Sequence, residues 1–151
     1  MSVHELTREH WVPAPIERAF EFFSDAFKLE LVTPPNLRFH MLTPGPIEVA
    51  EGTLLEYRLR VHGVPIRWRS VIETWEPPSR FVDRQLKGPY KLWLHTHTFE
   101  ARDGGTVVGD VVRYALPLGP IGELVNRLVV RRDLENIFDY RHEAISRLLA
   151  E

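Results

Sequence analysis

His95 and His97 stand two residues apart in LWLHTHTFE, a stretch of alternating character that reads as a β-strand. Side chains two apart on a strand share a face, so both imidazoles point the same way. An imidazole titrates near neutral pH and can donate, accept or ligate, which opens three chemistries. As a base beside a carboxylate it can move a proton on a carbonyl-adjacent carbon, the step that aldol cyclisation and dehydration need. As one of two imidazoles with a carboxylate it suits zinc or iron. As a plain hydrogen-bonding group it orients a ligand or satisfies a core. Asp83, Asp110 and Tyr114 fall in the strands expected on either side. The candidate catalytic residues are therefore His95, His97, Asp110 and Tyr114, and nothing in their spacing alone separates catalysis from ligand orientation. Spacing does not bring a carboxylate onto the histidine pair, and the reading assigns no metal and no cofactor. The chain has no cysteine, no serine in a nucleophile-elbow sequence and no glycine-rich phosphate loop, which argues against thiol, serine-hydrolase and nucleotide-dependent chemistry.

The elements that must hold these groups are marked by turn residues. Pro44-Gly45-Pro46, Glu51-Gly52, His62-Gly63, Pro77-Pro78, Gly88-Pro89 and Asp103-Gly104-Gly105 punctuate the middle of the chain as hairpin turns do. The pieces between them predict strands over roughly 37–43, 47–50 joined loosely to 53–61, 66–75, 80–87, 91–101 and 106–116. Ahead of them, VHELTREHWV predicts a strand with polar residues on both faces, as at a sheet edge. Pro13 and Pro15 end it, and IERAFEFFSDAFKLELVTPP predicts two short helices, with Ser24 or Asp25 as a cap for the second. The last element runs from Leu116 to Glu151, with no proline after Pro120 and no glycine after Gly122. It predicts one long helix covering the sheet. Its apolar stripe changes sides: Ile121, Leu124, Val125, Leu128 and Val129 share one face, whereas Leu134, Ile137, Phe138, Ile145, Leu148 and Leu149 share nearly the opposite one. A bend or break near Arg131 to Asp133 is expected, with a ligand entrance beside it. The architecture expected is α+β, about seven antiparallel strands in a curved sheet wrapping the terminal helix, as one domain over residues 1–151.

Sorting each strand by its period of two gives an inner face. It carries Leu55, Tyr57, Leu59 and Val61, then Trp68, Ser70, Ile72 and Thr74, then Phe81, Asp83 and Gln85. Trp93, His95, His97 and Phe99 follow, and Thr106, Val108, Asp110, Val112, Tyr114 and Leu116 complete it. The opposite face, with Arg67, Arg69, Glu73, Arg84 and Arg113, is solvated. Aromatic rings mixed with unpaired polar groups are costly in a packed interior, at about 1–3 kcal/mol for each unsatisfied group. A small-molecule cavity accommodates the mixture, because such cavities have apolar walls with a few placed polar groups. The alternative is a packed core in which these polar groups pair among themselves. With 151 residues, 44% hydrophobic, a formal net charge of -2 and no run long enough to span a membrane, the composition fits one globular domain without nucleic-acid binding or a permanent membrane anchor. A cytoplasmic location is expected, and the oligomeric state stays open.

The segments WVPAPIERAFEFFSD, LVTPP, FVDRQLKGPYKLWLHTHTFE and GDVVRYALPLGPIGELVNRLVVRRDLENIFDYR resemble the helix-grip proteins of the START/SRPBCC superfamily, most closely small bacterial polyketide cyclase/dehydrase-like proteins. The resemblance covers essentially the whole chain and implies a deep apolar cavity between sheet and terminal helix. It places Tyr57, Trp68, Ile72, Phe81, Trp93, His95, His97, Phe99, Asp110, Val112 and Tyr114 on or near the wall. Strand alternation adds Leu59 and Asp83, and the start of the terminal helix adds Leu124 and Leu128 at the mouth. No catalytic motif carries over. The function expected is binding of a hydrophobic small molecule such as a lipid, isoprenoid quinone or polyketide-like aromatic, for transport or sequestration. A cyclase or dehydratase using a cavity histidine, and a module whose exposed helix start makes a transient membrane or partner contact, are the alternatives.

Overall fold

The computed structural model describes residues 2–149; Met1, Ala150 and Glu151, the last two expected at the helix end, lie outside the described residues. Strand β1 (His4–Val12) is followed by helix α1 (Ile16–Ser24), a 3-10 turn at Ala26–Lys28 and the short helix α2 (Leu29–Val32). Asp25 accepts a hydrogen bond from the backbone N–H of Phe27 and so caps the 3-10 turn. Six strands come next: β2 (His40–Met41), β3 (Leu54–Val61), β4 (Val64–Glu76), β5 (Arg80–Lys87), β6 (Leu92–Arg102) and β7 (Gly105–Ala115). All pair antiparallel in the order β1-β7-β6-β5-β4-β3-β2, which puts β1 at an edge. The β3–β4 and β6–β7 connections are two-residue turns, His62-Gly63 and Asp103-Gly104, with positive φ at both positions. That turn form matches the right-handed twist of the strands it joins. Register shifts between Arg69 and Ser70 and between Ile72 and Thr74 bend β4, and the sheet curves.

One expected strand is reduced and one is missing. The 37–43 piece pairs only at His40–Met41, and 47–50 forms no strand, because Pro44, Pro46 and the 3-10 turn Pro35–Leu37 leave few donors in register with β3. Leu37, Met41, Ile47 and Val49 instead plug the end of the sheet beside Leu55 and Ile72.

The terminal helix does not break at Arg131 to Asp133. It runs as α3 (Gly119–Val125), a π-helical turn (Asn126–Val130) and α4 (Arg131–Leu149), the Arg131 N–H donating to the Asn126 carbonyl five residues back. One added residue in a turn rotates everything beyond it by about 100°, which accounts for a change of face without a break in the helix. The turn also swings Asn126 inward, where its Oδ1 accepts a 2.7 Å hydrogen bond from the buried Tyr114 hydroxyl. At the helix start Gly122 is required by space, since a Cβ there would meet the Pro117 carbonyl oxygen at 2.1 Å.

The interior between sheet and helix holds two large apolar clusters. Phe20, Phe81, Phe99, Val108, Ile145 and Leu149 form one; Leu6, Trp68, Trp93, Val112, Leu134 and Phe138 form the other. On each participating element the residues between the clusters are polar. They are His10 on β1, Asp110 on β7, His95 and His97 on β6, Asp83 on β5, and Arg141 with His142 on α4. The chemistry expected from His95 and His97 therefore sits in a polar belt with apolar packing at both ends.

Candidate functional site

Cross-strand register brings the belt together. Asp83 lies opposite His95 on β5 and β6, and His97 lies opposite Asp110 on β6 and β7. The two imidazoles stack at 3.7 Å between centroids. His97 Nε2 is 2.6 Å from Asp83 Oδ2, and His95 Nε2 is 2.7 Å from Asp110 Oδ1. The other Asp110 oxygen is 3.0 Å from His142 Nε2, and the His142 ring stacks on His10 at 3.9 Å. Carboxylates only accept when ionised, so each ring nitrogen facing one carries its proton. Burial raises the Asp110 pKa, but bonds from His142 and His95 outweigh it and hold the carboxyl well below its ordinary value. Asp83 is lowered in the same way, its burial outweighed by the bond from His97 and the charges of His97, His95 and Arg141. Burial and the neighbouring His95 lower the His97 pKa against the pull of Asp83, while burial and His142 bring His10 down to about 4. Neither ring nitrogen of His10, nor Nε of Arg141, has a hydrogen-bond partner among the described residues.

The belt is exposed on one side to a cavity of about 270 Å³. Tyr57, Leu59, Trp68, Ile72, Phe81, Asp83, Trp93, His95 and His97 all line it. Phe99, Asp110, Val112 and Tyr114, expected on the wall, are packed behind it: Phe99 on β6 meets Phe20 and Phe23 of α1, Val112 and Tyr114 on β7 pack with Leu134 and Phe138 of α4, and Asp110 bonds His95 and contacts His142. Tyr114 is thus removed from any reacting group in the cavity, its hydroxyl donated to Asn126. Leu124 and Leu128, expected at the mouth, are 50% and 66% exposed and point away from it, because the π turn rotates their face outward. The lining gains residues that strand sorting did not reach: Leu134, Ile137, Phe138 and Arg141 from α4, Tyr90 from the β5–β6 loop, and Phe23 and Leu29 from the first helices. The signal for Arg141 and His142 was present, since both fall between Phe138 and Ile145 on the inward helical stripe. Arg141 lies over the Phe138 ring at 5.1 Å, and its positive charge helps to lower the Asp83 pKa.

A curved antiparallel sheet gripping a long C-terminal helix, with a cavity between them, defines a helix-grip protein of the START/SRPBCC class. The chain belongs to the polyketide cyclase / dehydrase and lipid transport family, whose model matches residues 3–149. Among solved structures, a protein of Chromobacterium violaceum superposes with a TM-score of 0.76 at 12% identity, covering 98% of this chain and 99% of that one. A START superfamily protein from Mycobacterium smegmatis gives 0.72 at 12% identity, with 97% of both chains covered. Ginseng major latex-like protein 151 from Panax ginseng gives 0.69 at 11% identity, with 99% of both covered. At these identities the likeness is one of fold. No curated protein matches the chain. The family and the apolar cavity support a hydrophobic ligand-binding role. No helix among the described residues is long and apolar enough to cross a membrane.

Proposed function

We propose that the chain binds a flat, largely apolar molecule of the polyketide or quinone kind, carrying at least one carbonyl or hydroxyl oxygen. The observation that carries this reading is the cavity lining: rings of Tyr57, Trp68, Tyr90, Trp93, Phe81 and Phe138 stand among aliphatic side chains such as Leu55, Leu59, Ile72 and Leu134, and Asp83, His95, His97 and Arg141 add a polar patch. The rings favour planar ligands through stacking and edge contacts, and the aliphatic side chains add apolar contact around them. The polar patch supplies donors from the guanidinium and an acceptor at Asp83, which fixes the ligand's orientation. Val130, Asp133 and Tyr90 line the cavity, and this reading has the ligand enter beside them, where His62 of the β3–β4 turn contacts Asp133 at 2.8 Å.

The test is native mass spectrometry for a co-purifying molecule, with a thermal-shift panel of polycyclic ketones, quinones and fatty acids. Planar oxygenated aromatics should raise the melting temperature, corresponding to about 2.7 kcal/mol at a ligand concentration of 100 Kd. Quenching of Trp68 and Trp93 fluorescence should report the same binding. No bound mass and no shift from any compound would sink the reading. A catalytic reading is favoured by one observation, the Asp83 carboxylate lining the cavity with His97 Nε2 holding one of its oxygens: the carboxylate can take a proton from a ligand carbon and return it. His97→Ala distinguishes the two: a carrier loses part of its affinity, whereas an enzyme keeps binding and loses turnover of a linear polyketone substrate.

A further inference from the structure

We infer that the cavity end formed by His95, His97 and Asp83 is a binding site for a borderline divalent transition-metal ion of the zinc, cobalt(II) or iron(II) type. One ligand atom from each residue can be chosen so that all lie within 4.8 Å of one another. His97 Nε2 and His95 Nδ1 are 2.6 and 4.0 Å from the same Asp83 oxygen, Oδ2. Ligand atoms of a tetrahedral ion with bonds of about 2.0–2.2 Å stand roughly 3.4 Å apart, so the bonded pair opens by less than about 1 Å, the His95–Asp83 pair closes by less than about 1 Å, and the two imidazole nitrogens close by no more than about 1.4 Å. Two imidazoles and one carboxylate select this class of ion over calcium or magnesium, which prefer all-oxygen sites.

A second observation supports the first. His95 presents Nδ1 to Asp83 because its Nε2–H is taken by Asp110, whose other oxygen contacts His142. A buried carboxylate on the far nitrogen is the arrangement that fixes the tautomer and raises the basicity of a metal-bound histidine. His97 is placed to respond in the same way. An ion at Nε2 displaces the proton that this nitrogen shares with Asp83, and the opposite nitrogen, Nδ1, lies 3.7 Å from Asp110 Oδ1. Phe81 stacks on His97 at 4.0 Å and Phe138 meets His95 edge-on, which holds both rings against rotation.

The fourth position opens on the cavity, where a ligand oxygen completes the shell. Arg141 opposes a bare cation, because its positive charge acts on Asp83, and its unpartnered Nε suits an anionic oxygen. The site therefore favours an ion together with an anionic or enolic ligand. The inference does not rest on the identity of the organic ligand, since the three residues bind the ion whether or not the cavity is filled.

Purified full-length protein, stripped with a chelator and titrated with cobalt(II), tests it. The expected result is one cobalt per chain with intense visible d–d absorption of a low-coordinate site, displaced by zinc. Asp83→Asn and His97→Ala should each abolish the signal while circular dichroism stays unchanged, and Asp110→Asn should weaken affinity about 10–100-fold. Arg141→Gln should tighten it. His40→Gln, on the exposed strand β2, should leave it as it was. Absence of saturable absorption, or absorption surviving Asp83→Asn, would overturn the inference. Should His97→Ala fail to fold, the near-isosteric Asp83→Asn decides alone.

Discussion

Asp110 joins the polar belt to itself: it is 2% exposed, accepts from His95 with one oxygen and contacts His142 with the other. Replacing it with alanine leaves the His95 and His142 ring N–H groups without an acceptor, at about 1–3 kcal/mol for each unsatisfied buried group. The urea midpoint of Asp110→Ala should fall accordingly. The same belt sets the acid response. His10 and His97 have lowered pKa values, so both stay neutral in the folded protein where the unfolded chain, with histidine near 6.5, takes up protons. The stability they contribute is present above about pH 6.5 and is lost as pH falls toward 4 for His10. Asp83 and Asp110 are depressed, so their contribution is lost only below the ordinary carboxylate range, as pH falls through their folded values. Urea unfolding across this range should show a gentle decline first and a steeper one in stronger acid, and His10→Phe should flatten the first part. A profile without slope between about pH 6.5 and 4.5 would contradict the buried, neutral histidines.

At the scale of the element, the π turn at Asn126–Val130 lets one helix serve two surroundings. Beyond it α4 seals the interior with Leu134, Phe138 and Ile145; before it α3 leaves Ile121 and Leu124 in solvent, and the turn itself leaves Leu128 there. Leu124→Gln and Leu128→Gln should therefore shift stability by no more than about 0.5 kcal/mol, the range for exposed positions. Thermal melting checks this, and a large loss would mean that α3 packs on the sheet. Asn126→Ala should behave differently. It removes the acceptor of the Tyr114 hydroxyl, which is fully buried beside Arg131, at a cost of about 1–3 kcal/mol. In a double-mutant cycle Tyr114→Phe should recover much of that loss, because both polar partners then go together.

For the whole molecule, the unfilled volume is the property that separates a binding protein from a packed core. Leu59→Trp on the cavity wall should occupy part of the 270 Å³ with little effect on the fold, since the added ring points into open space. The variant should melt near the parent temperature and lose the ligand-induced shift. If instead it were strongly destabilised and still bound ligand, the space would lie elsewhere.

The chain by itself determined the faces of the strands. Period-two alternation puts Tyr57, Trp68, Asp83, Trp93, His95 and His97 on one side whatever the sheet packs against, and six of the seven strands follow from turn residues. It also determined that the terminal helix has two apolar faces, because that is a matter of spacing along 30 residues without proline or glycine. What covers each face was decided only in three dimensions. Whether an inner-face residue borders empty space or packed atoms depends on where α1 and α4 lie, so Phe99, Val112 and Tyr114 are core while Trp93 and Phe81 are wall. The π turn, a single added residue in the hydrogen-bond ladder, leaves no mark in residue types beyond the shift it accommodates. The meeting of Asp83, His97, His95, Asp110 and His142 joins four elements far apart in sequence. Their residue types made proton or metal chemistry conceivable, and the register of β5, β6 and β7 under α4 brought them within 3.0 Å of their partners.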